Sequence, residues 1–180
     1  VDMYQKKISG NGTIILGPPT LGSFYKFELD ASESIIIDAG IFVACGESIN
    51  LETKSRKIWN SLFSGESAFE IKVTNESEEE NVLFAYADGE VETMDIPPGE
   101  RLVVDGSFAL GRTTNINLEA KMLGKGLFNK ASGEGWVNEF HNSSDEIGKV
   151  WICPFISQEM QQIKQLEEII KLEHIATRNS

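Results

Sequence analysis

The chain contains 180 residues, of which 41% are hydrophobic, and its 28 acidic residues outnumber its 16 Lys and Arg residues to give a net charge of −12. A field of that sign repels phosphate groups, so nucleic acid is excluded from the expected partners. The two cysteines, Cys45 and Cys153, are too few for a disulfide framework, and no apolar run approaches the roughly 20 residues that a membrane-spanning helix needs. The composition therefore favours an ordinary globular domain.

An internal repeat organises most of the chain. The segment ESIIID at residues 33–38 returns as ERLVVD at 100–105, and INLETK at 49–54 returns as INLEAK at 116–121, each displaced along the chain by the same shift. Because the two matches occur in the same order and with an identical shift, they predict a duplicated unit.

We therefore predict a single β domain over residues 1–156 that is made of two repeats. The repeats cover about residues 14–81 and 82–149, with a closing strand at 150–155. A unit of this kind packs against its copy because it cannot bury its apolar face alone. Two independent minidomains joined by a linker are the alternative, but no connector rich in Pro and Ser separates the halves.

Within each unit, apolar and polar residues alternate with a period of two. Tyr25, Phe27 and Leu29 alternate with Lys26 and Glu28, which places the apolar side chains inside and the charges outside. The same pattern recurs at Phe69, Ile71 and Val73 against Glu70 and Lys72. Short strands of this kind predict an all-β sandwich or barrel-like body. The turn signal Asp88-Gly89 predicts a β-hairpin between its two flanking strands.

The pattern changes after Pro154. Apolar residues then recur at steps of three and four, which predicts one C-terminal α-helix from roughly Gln158 to Ala176, within residues 157–180. Its apolar stripe either docks on the β domain or joins two protomers, and it includes Ile163, Leu166 and Ile170.

Few residues suggest chemistry. His141 and His174 lack the spacing of a metal site, and no phosphate-binding loop or nucleophile elbow occurs, so we expect no catalytic residues, no metal and no cofactor. Asp38 and Asp105 occupy equivalent positions at strand ends, where an aspartate usually accepts N–H bonds of a turn. The triplets that begin at Asn11, Asn75 and Asn142 match the glycosylation pattern but are expected to be ordinary turns.

Two loops carry large apolar residues where a solvated loop would be polar. These side chains either close one end of the β body as a plug or form a contact surface for another protein or a membrane interface. In the contact interpretation the anchors are Trp59, Leu62, Phe63, Leu127 and Phe128.

The repeated motifs resemble a known family. ESIIIDAG at residues 33–40, followed by INLETK and then by SLFSGESAF at 61–69, is similar to the altered-inheritance-of-mitochondria-24-like family, whose members carry a G-E-x-hydrophobic-x-x-D-x-G strand and a G-L-F-G-G-E-G loop in tandem copies. VWICPF at 150–155 resembles the closing strand of that family. This chain departs from the pattern where Leu-Phe-Ser-Gly-Glu replaces the double-glycine loop, and its predicted helix has no match.

The resemblance implies a fold similar to that of the tryptophan-RNA-binding attenuator protein. It does not imply RNA binding, because a fold does not fix a function. It also implies a mitochondrial protein associated with inner-membrane organisation if the source is eukaryotic, and a cytoplasmic one if it is bacterial.

These observations lead us to expect a non-catalytic scaffold. Its partners would be other proteins, including a membrane-associated complex, or a second copy of the chain. The other hypothesis is a β protein of the bacterial cytosol that binds a small apolar ligand between the two repeats.

Overall fold

The computed structural model describes residues 6–17, 22–55, 69–105, 108–122 and 136–153. These residues form twelve β-strands and one short 3-10 turn at Ala39–Ile41. The strands are β1 (Ser23–Leu29), β2 (Ser34–Asp38), β3 (Phe42–Cys45), β4 (Ile49–Ser55), β5 (Phe69–Asn75), β6 (Asn81–Ala87), β7 (Glu92–Ile96), β8 (Arg101–Asp105), β9 (Ala109–Thr113), β10 (Ile116–Met122), β11 (Trp136–Asn142) and β12 (Gly148–Ile152).

The strands form three antiparallel sheets. A six-stranded sheet has the order β4-β5-β2-β9-β12-β7, and two three-stranded sheets have the orders β1-β6-β3 and β10-β11-β8. The all-β fold that the sequence predicts is therefore confirmed for the described residues.

Two apolar cores lie on opposite faces of the six-stranded sheet. The larger core joins that sheet to β1-β6-β3 and contains Phe27, Ile37 and Trp151. The smaller core joins it to β10-β11-β8 and contains Phe140 and Val150. Since Val150 and Trp151 are successive residues of β12, their side chains point to opposite faces, and each enters a different core. The two smaller sheets thus cover different faces of the large one.

The strand pairings of the first half of the chain, β1–β6, recur in the second half, β7–β12. We call these two halves modules. The order β4-β5-β2 returns as β10-β11-β8, and β1-β6-β3 returns as β7-β12-β9. The registers also agree, since Ile49 lies opposite Asn75 and, at the equivalent place in the second half, Ile116 lies opposite Asn142. The irregularity between β3 and β6 has its counterpart between β9 and β12.

The alternation predicts most side-chain orientations correctly. Phe27 and Leu29 are 3% and 1% exposed, and Ile71 and Val73 are fully buried. Phe69, however, is 37% exposed.

Two further sequence-based predictions are wrong, for identifiable reasons. The alternation places Glu70 outside, but its side chain is buried. The reason is its ion pair with the buried Arg112, which lies far away in sequence. The hairpin at Asp88-Gly89 is absent, because β6 pairs with β1 and β3 whereas β7 pairs with β12 in another sheet. The turn therefore carries the chain from one sheet to another.

The C-terminal helix and the closing residues beyond 153 lie outside the described residues, so the helix stays a prediction. Among the described residues, no helix has the length and apolar character needed to cross a membrane.

Candidate functional site

The two halves of the molecule are joined by hydrogen bonding between β2 and β9. Ile36 lies opposite Arg112 in this antiparallel pair. On the other side of β2, Glu70 of β5 lies opposite Asp38. Because β5 and β9 flank β2, they are separated by two strand spacings, about 9.5 Å, which the long Arg112 side chain can span. We call this strand pair with its two charged side chains the junction.

The junction contains a buried, bidentate ion pair. Arg112 Nη1 and Nη2 donate to Glu70 Oε1 and Oε2 at 2.7 and 3.0 Å, and Arg112 Nε donates to the carbonyl oxygen of Ile116 at 3.1 Å. Both residues are only 8% exposed. The guanidinium geometry matches the carboxylate, so the two parallel bonds fix the orientation of one half against the other.

The same positions in the other module hold apolar residues. The shift that relates the two repeats places Val137 where Glu70 stands and Cys45 where Arg112 stands. The ion pair is therefore specific to the junction that forms within the chain.

Two buried asparagines hold the ends of the modules. Asn75 Nδ2 donates to the carbonyl oxygens of Leu29, Asp30 and Glu79 at 3.1, 3.0 and 2.8 Å, and its Oδ1 accepts from the backbone N–H of Ser77 at 3.1 Å. The side chain thereby links the end of β1 to the loop after β5. The side chain is completely buried, so its polar atoms are satisfied within the fold.

Asn142 has the same role in the second module. Its Nδ2 donates to the carbonyl oxygens of Ile96 and Glu146, both at 2.7 Å, and its Oδ1 accepts from the N–H of Ser144 at 3.0 Å. Both asparagines are buried, and each accepts the backbone N–H two residues later, which confirms the turns expected at Asn75 and Asn142.

A cleft of about 260 Å³ lies between the two modules. Its floor contains Phe27, which is in edge contact with Tyr25 and Trp151 at ring-centroid distances of 4.7 and 5.1 Å. The remaining lining comes from β1, from the turn after it, and from β7 and β12: Lys26, Glu28, Asp30, Glu33, Thr93 and Lys149.

The cleft is small and polar. Ligand sites usually occupy about 300–1,000 Å³ and are mainly apolar, so this one lies below the ordinary range and has the opposite lining. Its charges also neutralise one another in part, since Lys26 pairs with Glu28, whose hydrogen bond raises the lysine pKa. The Asp30 N–H donates to Glu33 Oε2 at 2.8 Å. The geometry offers an apolar ligand little surface.

A second charged cluster lies on β8, β10 and β11. Glu139 Oε1 accepts from Lys121 Nζ at 2.6 Å and from Arg101 Nη1 at 2.7 Å. The hydrogen bond from Lys121 is the main reason that the pKa of the Glu139 carboxyl is lowered from its usual range. This carboxylate therefore stabilises the fold above the ordinary glutamate pKa and loses that effect as acid protonates it.

We predict that Glu139→Gln lowers the free energy of unfolding at pH 7, and that the difference from the parent shrinks as the pH falls below the ordinary glutamate pKa of about 4.3. Urea unfolding at a series of pH values measures it. Glu119→Gln is the control, since Glu119 is exposed and 3.8 Å from the same lysine. An equal pH dependence in the two variants would contradict the assignment.

The interaction anchors chosen from the sequence lie outside the described residues. This applies to Trp59, Leu62, Phe63, Leu127 and Phe128 in the two loops, and to Ile163, Leu166 and Ile170 in the predicted helix. All eight stay predictions.

Other residues singled out from the sequence have clear structural roles. Asp38 Oδ1 accepts from the Gly40 N–H at 2.7 Å, which confirms the turn-capping role expected for it. Cys45 and Cys153 are free thiols, and burial raises the pKa of Cys45. Within the described ranges, no group of three His, Cys, Asp or Glu residues could hold a metal ion.

Sequence reasoning missed Glu70, Arg112 and the two asparagines as key residues. The signal for the asparagines was present, because Asn75-x-Ser77 and Asn142-x-Ser144 recur at equivalent positions of the two modules. No comparable signal marks Glu70 and Arg112, since their counterparts have no charge.

The model of one protein family, described as mitochondrial biogenesis AIM24, matches residues 2–155. A solved structure with a similar fold is the crystal structure of a Streptococcus pyogenes protein, with a TM-score of 0.62 and 18% sequence identity. The match covers 84% of this chain and 62% of that one, so the present chain spans less than two thirds of the solved protein. No curated protein matches the chain significantly.

Proposed function

Because this chain belongs to the AIM24 family of mitochondrial biogenesis proteins, we propose that it is a non-catalytic scaffold that supports mitochondrial organisation by binding other proteins. In a eukaryotic source it would work at the mitochondrial inner membrane, and in a bacterial source in the cytoplasm. The family match supports the mitochondrial role.

The scaffold role is supported by the buried polar side chains, which have their partners within the fold. Five polar residues are buried in the described part of the chain: Glu70, Asn75, Arg112, Asn138 and Asn142. Each has a partner within the fold. A general acid or base needs a side chain with a tuned pKa that can reach a substrate. The side chains of Glu70 and Arg112 are instead held by bonds that stabilise the junction, and those of Asn75 and Asn142 by bonds that stabilise the modules.

We further propose that the body consists of two copies of one module, β1–β6 and β7–β12. This division differs from the boundary between residues 81 and 82 expected from the sequence, because β6 pairs with β1 and β3 of the first half. The recurrence of strand order, register and buried asparagine supports this duplication. The predicted helix within residues 157–180 would add a docking element to this β body.

The experiment compares partner binding before and after two loop substitutions. In the double variant Leu62→Asp with Leu127→Asp, we expect an unchanged melting temperature and the loss of proteins that co-purify with the parent from solubilised membranes. The control is Ser23→Asp with Thr114→Asp, which adds the same charge at two exposed positions. Retention of every partner by the loop variant would overturn the proposal, and unfolding would identify the loops as a plug.

The cleft between the modules is the place where the alternative function, the binding of a small apolar ligand, can be tested. Binding to the native state alone would raise the melting temperature progressively, with the logarithm of ligand concentration once the ligand exceeds its Kd. Given the polar lining and the volume of about 260 Å³, we expect flat melting curves with apolar and tryptophan-like metabolites. A concentration-dependent rise would favour the ligand binder over the scaffold.

A further inference from the structure

The segment before β1 contains the one Asn-Gly dipeptide of the chain, Asn11-Gly12. Residues 6–17 lie outside the strands, and each of them is exposed. Among the described residues, none forms a hydrogen bond with the Asn11 side chain or with the Gly12 N–H. The side-chain amide and the backbone nitrogen that follows it are therefore both in contact with water.

An asparagine can react with the backbone nitrogen of the residue after it. In this chain the Gly12 nitrogen, after losing its proton to a base in solution, would attack Cγ of Asn11. A bond forms between these two atoms, the bond from Cγ to Nδ2 breaks, and Nδ2 takes up a proton and leaves as ammonia. The product is a five-membered succinimide ring. Water then adds to either ring carbonyl and opens the ring, which gives aspartate or isoaspartate.

Glycine after asparagine favours the ring closure, because no side chain hinders the attacking nitrogen and the backbone can adopt the required angles at little cost. The fold does not restrict the dipeptide either. A Cβ built at Gly12 would have no atom within 4 Å apart from those of its chain neighbours, and the same is true of Gly10, whose φ is +145°. Asn11 thus stands between two glycines with open space around them.

Two buried asparagines show how a fold prevents this reaction. Asn142 precedes Ser143, which is also small, but the Asn142 side chain is fully buried and its Nδ2 donates two hydrogen bonds of 2.7 Å. Asn75 is fully buried as well, and the nitrogen that would have to attack it, that of Glu76, donates to the carbonyl oxygen of Ser48 at 2.9 Å. Asn11 has neither form of protection.

We propose that Asn11 is a site of spontaneous deamidation, where the exposed Asn-Gly dipeptide converts without an enzyme to a mixture of aspartate and isoaspartate. In the isoaspartyl form the main chain runs through Cγ, and the α-carboxylate is free. Protein isoaspartate methyltransferases methylate that carboxylate: one of its oxygens bonds to the methyl carbon of S-adenosylmethionine as the bond from that carbon to sulfur breaks. The modified segment thereby becomes a substrate for this class of repair enzyme.

Deamidation changes the charge of the segment and leaves the β body intact. Residues 6–17 contain two lysines and no acidic residue, so the new carboxylate lowers the formal charge of the segment from +2 to +1. Neither apolar core, in the part of the chain that the structure describes, includes a residue of this segment. The inference goes beyond the proposed scaffold role and does not depend on it, because the reaction needs no binding partner.

The test is incubation of the full chain at neutral pH and physiological temperature, with samples taken over days. The parent should accumulate a more acidic species on anion exchange, and peptide mapping by mass spectrometry should show that Asn11 has exchanged its NH2 group for OH. The conversion should be faster at higher pH, because the attacking nitrogen must lose its proton. An isoaspartate methyltransferase should label the same peptide. A parent in which Asn11 stays intact would overturn the proposal.

Gly12→Ala is the matched control. The added methyl group has open space, and Gly12 is not in the left-handed region, so the melting temperature should be unchanged. The Cβ next to the attacking nitrogen hinders ring closure, so only a minor fraction of the variant should have reacted when the parent is half converted. Asn11→Gln should also stop the reaction, because its side chain would have to close a six-membered ring, which is slower.

The buried asparagine provides an internal comparison. In the folded parent Asn142 should stay intact, and it should react only after the chain is unfolded in urea. Equal rates in the parent and in Gly12→Ala, or conversion of Asn142 before Asn11 in the folded chain, would contradict the proposal.

Discussion

Arg112→Met is expected to lower the free energy of unfolding by about 3–5 kcal/mol. The substitution leaves the Glu70 carboxylate buried at 8% exposure without the two bonds of 2.7 and 3.0 Å that it accepts from the guanidinium. It also removes the donor to the Ile116 carbonyl oxygen. Urea unfolding followed by circular dichroism measures the change, with the slope checked for two-state behaviour.

Two controls separate the buried charge from the loss of volume. Glu70→Val together with Arg112→Met should recover most of the lost stability, because it installs at position 70 the residue type that Val137 provides in the other module. Arg101→Met removes an arginine whose side chain is 56% exposed, and it should cost about 1 kcal/mol or less. The role of the ion pair is contradicted if Arg112→Met costs no more than Arg101→Met.

Asn75→Ala is expected to cost about 3–5 kcal/mol, and Asn142→Ala nearly as much. Each substitution removes the N–H donors of a fully buried side chain, three bonds to carbonyl oxygens for Asn75 and two for Asn142. The carbonyl oxygens of Leu29 and Ile96 then lose their side-chain donor. Those of Asp30, Glu79 and Glu146 keep the bonds from the Glu33 N–H, Ser77 Oγ and Ser144 Oγ. Urea unfolding again provides the measurement.

The asparagine prediction has a matched pair of controls. Asn75→Asp keeps the shape of the side chain but loses both donors, so it should be at least as harmful as alanine. Asn117→Ala removes an exposed asparagine that donates to Ser143 Oγ at 2.7 Å, and it should change stability by about 0.5 kcal/mol or less. Similar costs at positions 75 and 117 would show that the buried bonds contribute little.

The sequence predicts the fold well where a local pattern determines the structure. The alternation at Tyr25–Leu29 places Phe27 and Leu29 in the core, and the strand at Ser34–Asp38 lies where the repeated ESIIID motif indicates. The capping role of Asp38 also follows from local geometry, because its carboxylate bonds to a backbone N–H two residues later.

The sequence fails where the partner is distant along the chain. Glu70 is buried because Arg112 lies against it, 42 residues later, and no local period reports that contact. Asp88-Gly89 satisfies the turn chemistry of a hairpin, yet its flanking strands join different sheets. β6 is the central strand of one sheet, and β7 is an edge strand of another. The order of strands in a sheet depends on pairing between segments that are distant along the chain.

The most direct test of the account is the set of backbone NOEs between strands, measured by NMR on the isotope-labelled chain. The duplicated module predicts contacts between Ile49 and Asn75 and, at the equivalent place in the second module, between Ile116 and Asn142, with a contact between Ile36 and Arg112 where the modules join. NOEs that instead pair β6 with β7, or that show different strand partners in the two halves, would contradict it.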